Sequence, residues 1–173
     1  VGFAGVGLTP NQIATGGGLD LPQLLAVDAL GNIWVPNSGS YPGTLSAFSP
    51  TGEPLSGASG FKGGGLNEPF AVAADISGNI WSANYGGGVS EHTSAGTPLS
   101  GTTGFTTTLL VNPVAIALDA AGNVFTSNSN NSVTHLNSAG SPTGQLTNIG
   151  GLNNPYSIAI DASQNIWVAN YGS

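Results

Sequence analysis

The chain has 173 residues and a formal net charge of −7, set by eight carboxylates against a single basic side chain, Lys62. Nucleic-acid binding needs Lys and Arg to displace counterions from phosphates, and anionic membranes recruit basic patches, so the composition argues against both partners. Cysteine is absent, which removes disulfides, thiolate chemistry and cysteine-type zinc sites, and no apolar run reaches the roughly 18 residues of a membrane span, so no membrane insertion is expected.

Twenty-eight glycines and 11 prolines would suit a disordered chain, but 39% of the residues are hydrophobic. They recur in short, evenly spaced runs, the mark of a folded all-β protein. A surface of Ser, Thr, Asn and Gly points to an extracellular or cell-surface location. The chain starts at Val1 with neither Met nor an apolar signal segment, which fits a removed leader or an excerpt of something longer.

Residues 1–21 lead into the first repeat through "GGGLDLP", which ends at Pro22, a connector that returns as "GGGLNEP" and "GGLNNP". A repeat then begins at each of four prolines, with "PQLLAVD" from Pro22, "PFAVAAD" from Pro69, "PVAIALD" from Pro113 and "PYSIAID" from Pro155. The steps between these prolines are 47, 44 and 42 residues, the length of a four-stranded propeller blade. The first strand of each unit carries a small column, Ala26, Ala73, Ala117 and Ala159, after a large one, Leu25, Val72, Ile116 and Ile158.

A turn of the form Asp-x-x-Gly-Asn follows, led by Asp28, Asp75, Asp119 and Asp161, whose carboxylates accept backbone N–H bonds. Gln164 replaces Gly in the last turn and should strain or reshape it. The second strand places Trp34, Trp81, Phe125 and Trp167 in one slot, read as wedges between neighbouring sheets. Third strands begin at Thr44, Val89 and Val133, and "PLSGASGF" from Pro54 and "PLSGTTGF" from Pro98 read as fourth strands.

The expected architecture is an all-β propeller in one domain over 1–173, with blades at 22–68, 69–112 and 113–154. Residues 155–173 supply only two strands, so a fourth, composite blade is expected to take its outer strands from residues 1–21. That arithmetic is met by a chain closing on itself, by chains completing one another head to tail into a ring or filament, or by an excerpt of a larger propeller.

Pro-x-x-[Ile/Val/Ala]-Ala-x-Asp followed by Gly-Asn-Ile-Trp-Val-x-Asn resembles the NHL repeat and the related streptogramin B (virginiamycin B) lyase class of β-propellers, over residues 21–173. The resemblance implies four-stranded sheets arranged radially around a channel, and scaffolds that bind protein, glycan or RNA. The lyase relatives are typically seven-bladed and use His and Glu near a bound magnesium ion. This chain offers only His92, His135 and Glu91, in third strands where such residues are ordinary, and they do not match the lyase motif. No catalytic residue, metal or cofactor is therefore assigned, and His92 is expected to be a partly exposed histidine on an outer strand.

The four aspartates are assigned to turn capping rather than to a calcium ring, which would need six to eight oxygens. The loops after the second strands place Asn37, Asn84, Asn128 and Asn170 at equivalent points, with Tyr41, Tyr85 and Tyr171 close behind. Asn amides and Tyr rings bind sugars or proteins, whereas Asn also tolerates left-handed turns. The functional expectation is a non-enzymatic extracellular interaction or self-assembly module, partnered by itself or by a protein or glycan ligand. A carbohydrate-binding module and a degenerate streptogramin-lyase-like enzyme are the alternatives.

Overall fold

The computed structural model describes residues 14–147 and 150–172, and among them there are only strands, bridges and turns. Repeat 1 forms the three-stranded antiparallel sheet β1 (Ala26–Val27), β2 (Ile33–Asn37) and β3 (Thr44–Phe48). Repeat 2 forms β4 (Pro69–Ala74), β5 (Ile80–Asn84) and β6 (Val89–His92). Repeat 3 has four strands, β7 (Pro113–Leu118), β8 (Val124–Asn128), β9 (Ser132–Leu136) and β10 (Pro142–Thr147). Repeat 4 contributes the pair β11 (Pro155–Ile160) and β12 (Ile166–Asn170).

The fourth strands read from "PLSGASGF" and "PLSGTTGF" are reduced to isolated bridges, Leu45 with Phe61 and Phe48 with Pro54, then Val89 with Phe105 and His92 with Pro98. Their glycines and prolines break the ladder, while the outgoing Phe stays pinned to the third strand. The outer strands expected from residues 1–21 for repeat 4 fall largely in residues 1–13, outside the described residues. Of the described part, Gly17 accepts a hydrogen bond from Ser56 of repeat 1 at 2.7 Å.

Register explains the two repeated columns. Ala26, Ala73, Ala117 and Ala159 lie directly opposite Trp34, Trp81, Phe125 and Trp167, so a small side chain leaves room for a large ring on the neighbouring strand. The first three rings then cross to the following repeat. Trp34 packs with Val72 and Ile80, Trp81 with Ile116 and Val124, and Phe125 with Ile158 and Ile166.

Phe61 and Phe105 back the two indoles, with ring centroids 5.6 Å from Trp34 and 5.4 Å from Trp81. They lie over Gly96 and Gly140, where a Cβ would fall 2.1 Å and 2.2 Å from the phenyl ring. The glycine of each "SAG" turn is thus a socket for the Phe of the repeat before it. The cores therefore lie between sheets rather than within any one of them.

Candidate functional site

Each Asp turn is closed by the same two backbone N–H bonds to the carboxylate. Asp161 accepts N–H bonds from Ser163 and Asn165, an amide bond from Asn165 and the indole N–H of Trp167. Asp28 and Asp75 bond Trp34 and Trp81 in the same way, so Asp and Trp six residues apart form a lock that joins the turn to the wedge. Asp119 lacks the indole partner because Phe125 has no donor, and keeps Ala121 and Asn123.

Burial opposes ionisation of Asp28, yet bonds from Trp34, Asn32 and Leu30 hold its pKa below the ordinary value. Bonds from Trp167 and Asn165 bring Asp161 down to about 2. Gln164 keeps the turn's shape, donating its N–H to Asp161 as the glycines do, at a left-handed φ of 66°. All four carboxylates are thereby committed to turns, and no cluster of three or more His, Asp or Glu able to hold a metal occurs among the described residues.

His92 corrects the sequence expectation. It is fully buried rather than partly exposed, because the third strand faces the connector of the previous repeat and His92 fills the slot held by Phe48 and Leu136 in their own repeats. Burial lowers its pKa; the Gly63 and Lys62 backbone opposes the shift, though neither completes a well-aligned bond and both ring nitrogens lack a partner. His135 lies flat on Phe125, ring centroids 4.3 Å apart, with Nδ1 2.7 Å from the Thr143 hydroxyl. Glu91 is bonded to the Asn79 amide at 3.0 Å, and burial together with the Asp75 charge raises its pKa.

The asparagine column divides. Asn37, Asn84 and Asn128 are buried, and each amide donates to hydroxyls of the neighbouring third strand, Thr44 and Ser46, then Ser90, then Ser132 and Thr134. They are inward ties between strands rather than groups on the loop surface. Nor are they left-handed: the non-glycine residues described with that φ are Leu21, Glu68, Asn112 and Asn154, each just before the proline that opens a repeat, together with Asn131 and Gln164. Asn170 is exposed, with Asn153 and Gly151 as its backbone partners.

The tyrosines do lie outside. The left-handed residues fix two of them, since Glu68 accepts the N–H of Tyr85 at 2.9 Å and Asn154 that of Tyr171 at 2.8 Å. Beside them stand Phe70 and Tyr156, which the sequence reading missed. Each occupies a β-bulge, where the ladder slips between Pro69 and Ala71 and between Pro155 and Ser157, and a bulge re-aims the side chain it carries.

The result is one continuous aromatic ridge. Tyr85 meets Phe70 at 6.4 Å, Phe70 meets Tyr156 at 6.1 Å edge-on, and Tyr156 meets Tyr171 at 6.0 Å. The corresponding positions are Gln23 and Ser38 in repeat 1 and Val114 and Ser129 in repeat 3, so aromatic pairs alternate with small or polar ones. Amides border the ridge, with Asn112 donating to the Tyr85 carbonyl at 2.7 Å and Asn131 accepting the Asn154 N–H at 2.7 Å. Tyr41 stands apart, exposed, and makes no ring contact with the ridge.

No protein-family model matches the chain, and no curated protein is significantly similar to it. Solved structures do match. A streptogramin B lyase is 13% identical, with a TM-score of 0.66 over 88% of this chain and 49% of its own. The extracellular domain of the one-component system BT4673 of B. thetaiotaomicron is 18% identical, with a TM-score of 0.59 over 87% of this chain and 20% of its own. The computationally designed Ika4 protein is 13% identical, with a TM-score of 0.62 over 95% of this chain and 100% of its own. The chain spans about half the length of the lyase, and at these identities the likeness shows the fold alone: an all-β, propeller-like stack of small antiparallel sheets, similar to streptogramin B lyase-like propellers.

Proposed function

We propose that this chain is a non-enzymatic, extracellular propeller module that binds a partner on its loop face, with its four repeats acting as blades. The observation that carries the reading is the ridge of Tyr85, Phe70, Tyr156 and Tyr171, held outward by two bulges and two left-handed residues. Rigid amphipathic rings with amides beside them supply stacking area and hydrogen bonds at low entropic cost. The charge-poor composition and the extracellular domain among the structural neighbours support the location.

Carbohydrate is the ligand class this chemistry favours, because ring faces cover the apolar side of a sugar while Asn amides and carbonyls meet its hydroxyls. The test is calorimetric titration with a panel of neutral oligosaccharides. Saturable binding that Phe70→Ala and Tyr156→Ala abolish would support the ridge. Binding that survives both substitutions would place the contact elsewhere, and silence across the panel would remove carbohydrate and leave proteins to be screened.

The lyase-like alternative has little to stand on. His92 is sealed between repeats, His135 is stacked on Phe125, and Glu91 is tied to Asn79. Magnesium-dependent ring opening of a streptogramin by this chain, lost on substituting Glu91 or His135, would overturn the non-enzymatic reading.

A further inference from the structure

Every junction inside the molecule is built from the same two columns. On one side stands the second-strand aromatic of a repeat. On the other stand a first-strand and a second-strand aliphatic of the next repeat, Val72 and Ile80, Ile116 and Val124, or Ile158 and Ile166. At the two ends of the series each column stands alone among the described residues.

Trp167 is 64% exposed where Trp34 and Trp81 are covered, and Ser157, Ala159 and Ala169 beside it are exposed too. At the other end Leu25 is 63% exposed where its counterparts are buried, Val27 is exposed beside it, and Ile33 is only half-buried. The free edge of β12 lies next to Trp167, with β11 its one ladder partner among the described residues. An apolar face beside an unpaired edge favours association.

We propose that two copies of this chain join head to tail, Trp167 of each seated against Leu25 and Ile33 of the other, to close one eight-bladed ring. The occupant is a second copy because the two open faces complement each other as the internal ones do, so the molecule already shows three examples of the contact. A head-to-tail contact closes into a ring or runs on as a filament according to its rotation, and the number of copies follows from the number of blades. Twice four repeats reaches the upper end of the usual range of about four to eight blades, which three copies would exceed. The proposal is independent of the ligand reading, since the ridge residues take no part in either end face.

The test is native mass spectrometry and light scattering on the full chain across a wide concentration range. The wild type should weigh about 34 kDa, twice 17.0 kDa. Trp167→Glu should raise the dissociation constant about 30-fold or more, the loss expected of a central Trp in an interface, and Leu25→Lys should weaken it likewise. Mixing those two variants should restore a 1:1 complex, because one junction is then intact and the other pairs Lys with Glu. Tyr156→Ala should leave the mass at two copies.

A wild type at 17.0 kDa throughout would overturn the proposal. So would a polymer or a larger ring, or a Trp167→Glu variant that associates as the wild type does. Circular dichroism reports whether each variant folds, and if Trp167→Glu does not, Leu25→Lys and its mixture with Trp167→Ala decide the matter.

Discussion

Trp81 and Trp167 hold the same slot in two copies of one repeat, and each donates its indole N–H to the Asp six residues before it. One is 1% exposed and the other 64%. The Asp lock therefore forms without burial, from a turn and a strand that carry their own instructions. What differs is the neighbour: Trp81 has Ile116 and Val124 beyond it, whereas no following sheet covers Trp167 among the described residues. Local shape belongs to each repeat, and the hydrophobic core belongs to the junctions between them.

Truncating the two rings separates what the junction supplies from what the Asp bond supplies. Trp81→Ala removes a fully buried indole from a junction and should cost about 3–5 kcal/mol by urea denaturation. Trp167→Ala removes a mostly solvated ring from a lone copy and should cost less than about 1 kcal/mol at high dilution. Equal losses in the two variants would mean that the indole acts through its Asp bond rather than through the junction. If the second copy covers Trp167, its loss should grow with protein concentration while that of Trp81 stays constant.

A polar version of the same comparison has a smaller expected effect. The Asn84 amide donates to Ser90 at 2.8 Å and its oxygen accepts from Ser82 at 3.2 Å, both inside the sheet, and the amide also reaches the Gly65 carbonyl of the preceding connector at 3.3 Å. Asn84→Ala would strand those groups without water, costing about 1–3 kcal/mol. Asn170 keeps backbone partners only, at the surface, and Asn170→Ala should cost no more than about 1 kcal/mol. A matching loss at both sites would show that the bond to the third strand adds nothing.

These contrasts also show which parts of the fold could be read from the sequence. The prolines, the six-residue offset to Asp and the aromatic slot appear directly because each reflects local chemistry repeated four times. The outward aim of Phe70 and Tyr156 did not appear, since alternation counts residues and a bulge breaks the count; the signal was an aromatic directly after a strand-opening proline. The inward turn of Asn37, Asn84 and Asn128 was missed for a related reason. Their hydroxyl partners lie across the strand pair, and Ser46, Ser90 and Thr134 carry no sequence mark of their own. The exposure of Leu25 and Trp167 could not be read at all, because a repeat does not state whether it has a neighbour.

The smallest effect concerns the slot that differs in kind among covered repeats: Phe48, His92 and Leu136. Burial lowers the His92 pKa from 6.5, so the folded chain refuses a proton that the unfolded chain binds. Well above pH 6.5 neither state is protonated there and the position adds no pH dependence. As pH falls below that value the unfolded state gains the proton first, and stability declines by up to about 1.4 kcal/mol per pH unit until the folded pKa is reached. His92→Phe, which installs the repeat 1 side chain, should remove that decline and leave stability at pH 8 nearly unchanged or raised, since two unpartnered nitrogens disappear. The difference between wild type and variant isolates this group from Glu91, whose raised pKa acts with the opposite sign over part of the same range, and from Asp161, which loses its contribution only as pH falls from about 4 toward 2. Parallel pH profiles for the two proteins would mean that His92 takes up its proton inside the fold, and that repeat 2 accommodates a charge where its neighbours place a hydrocarbon.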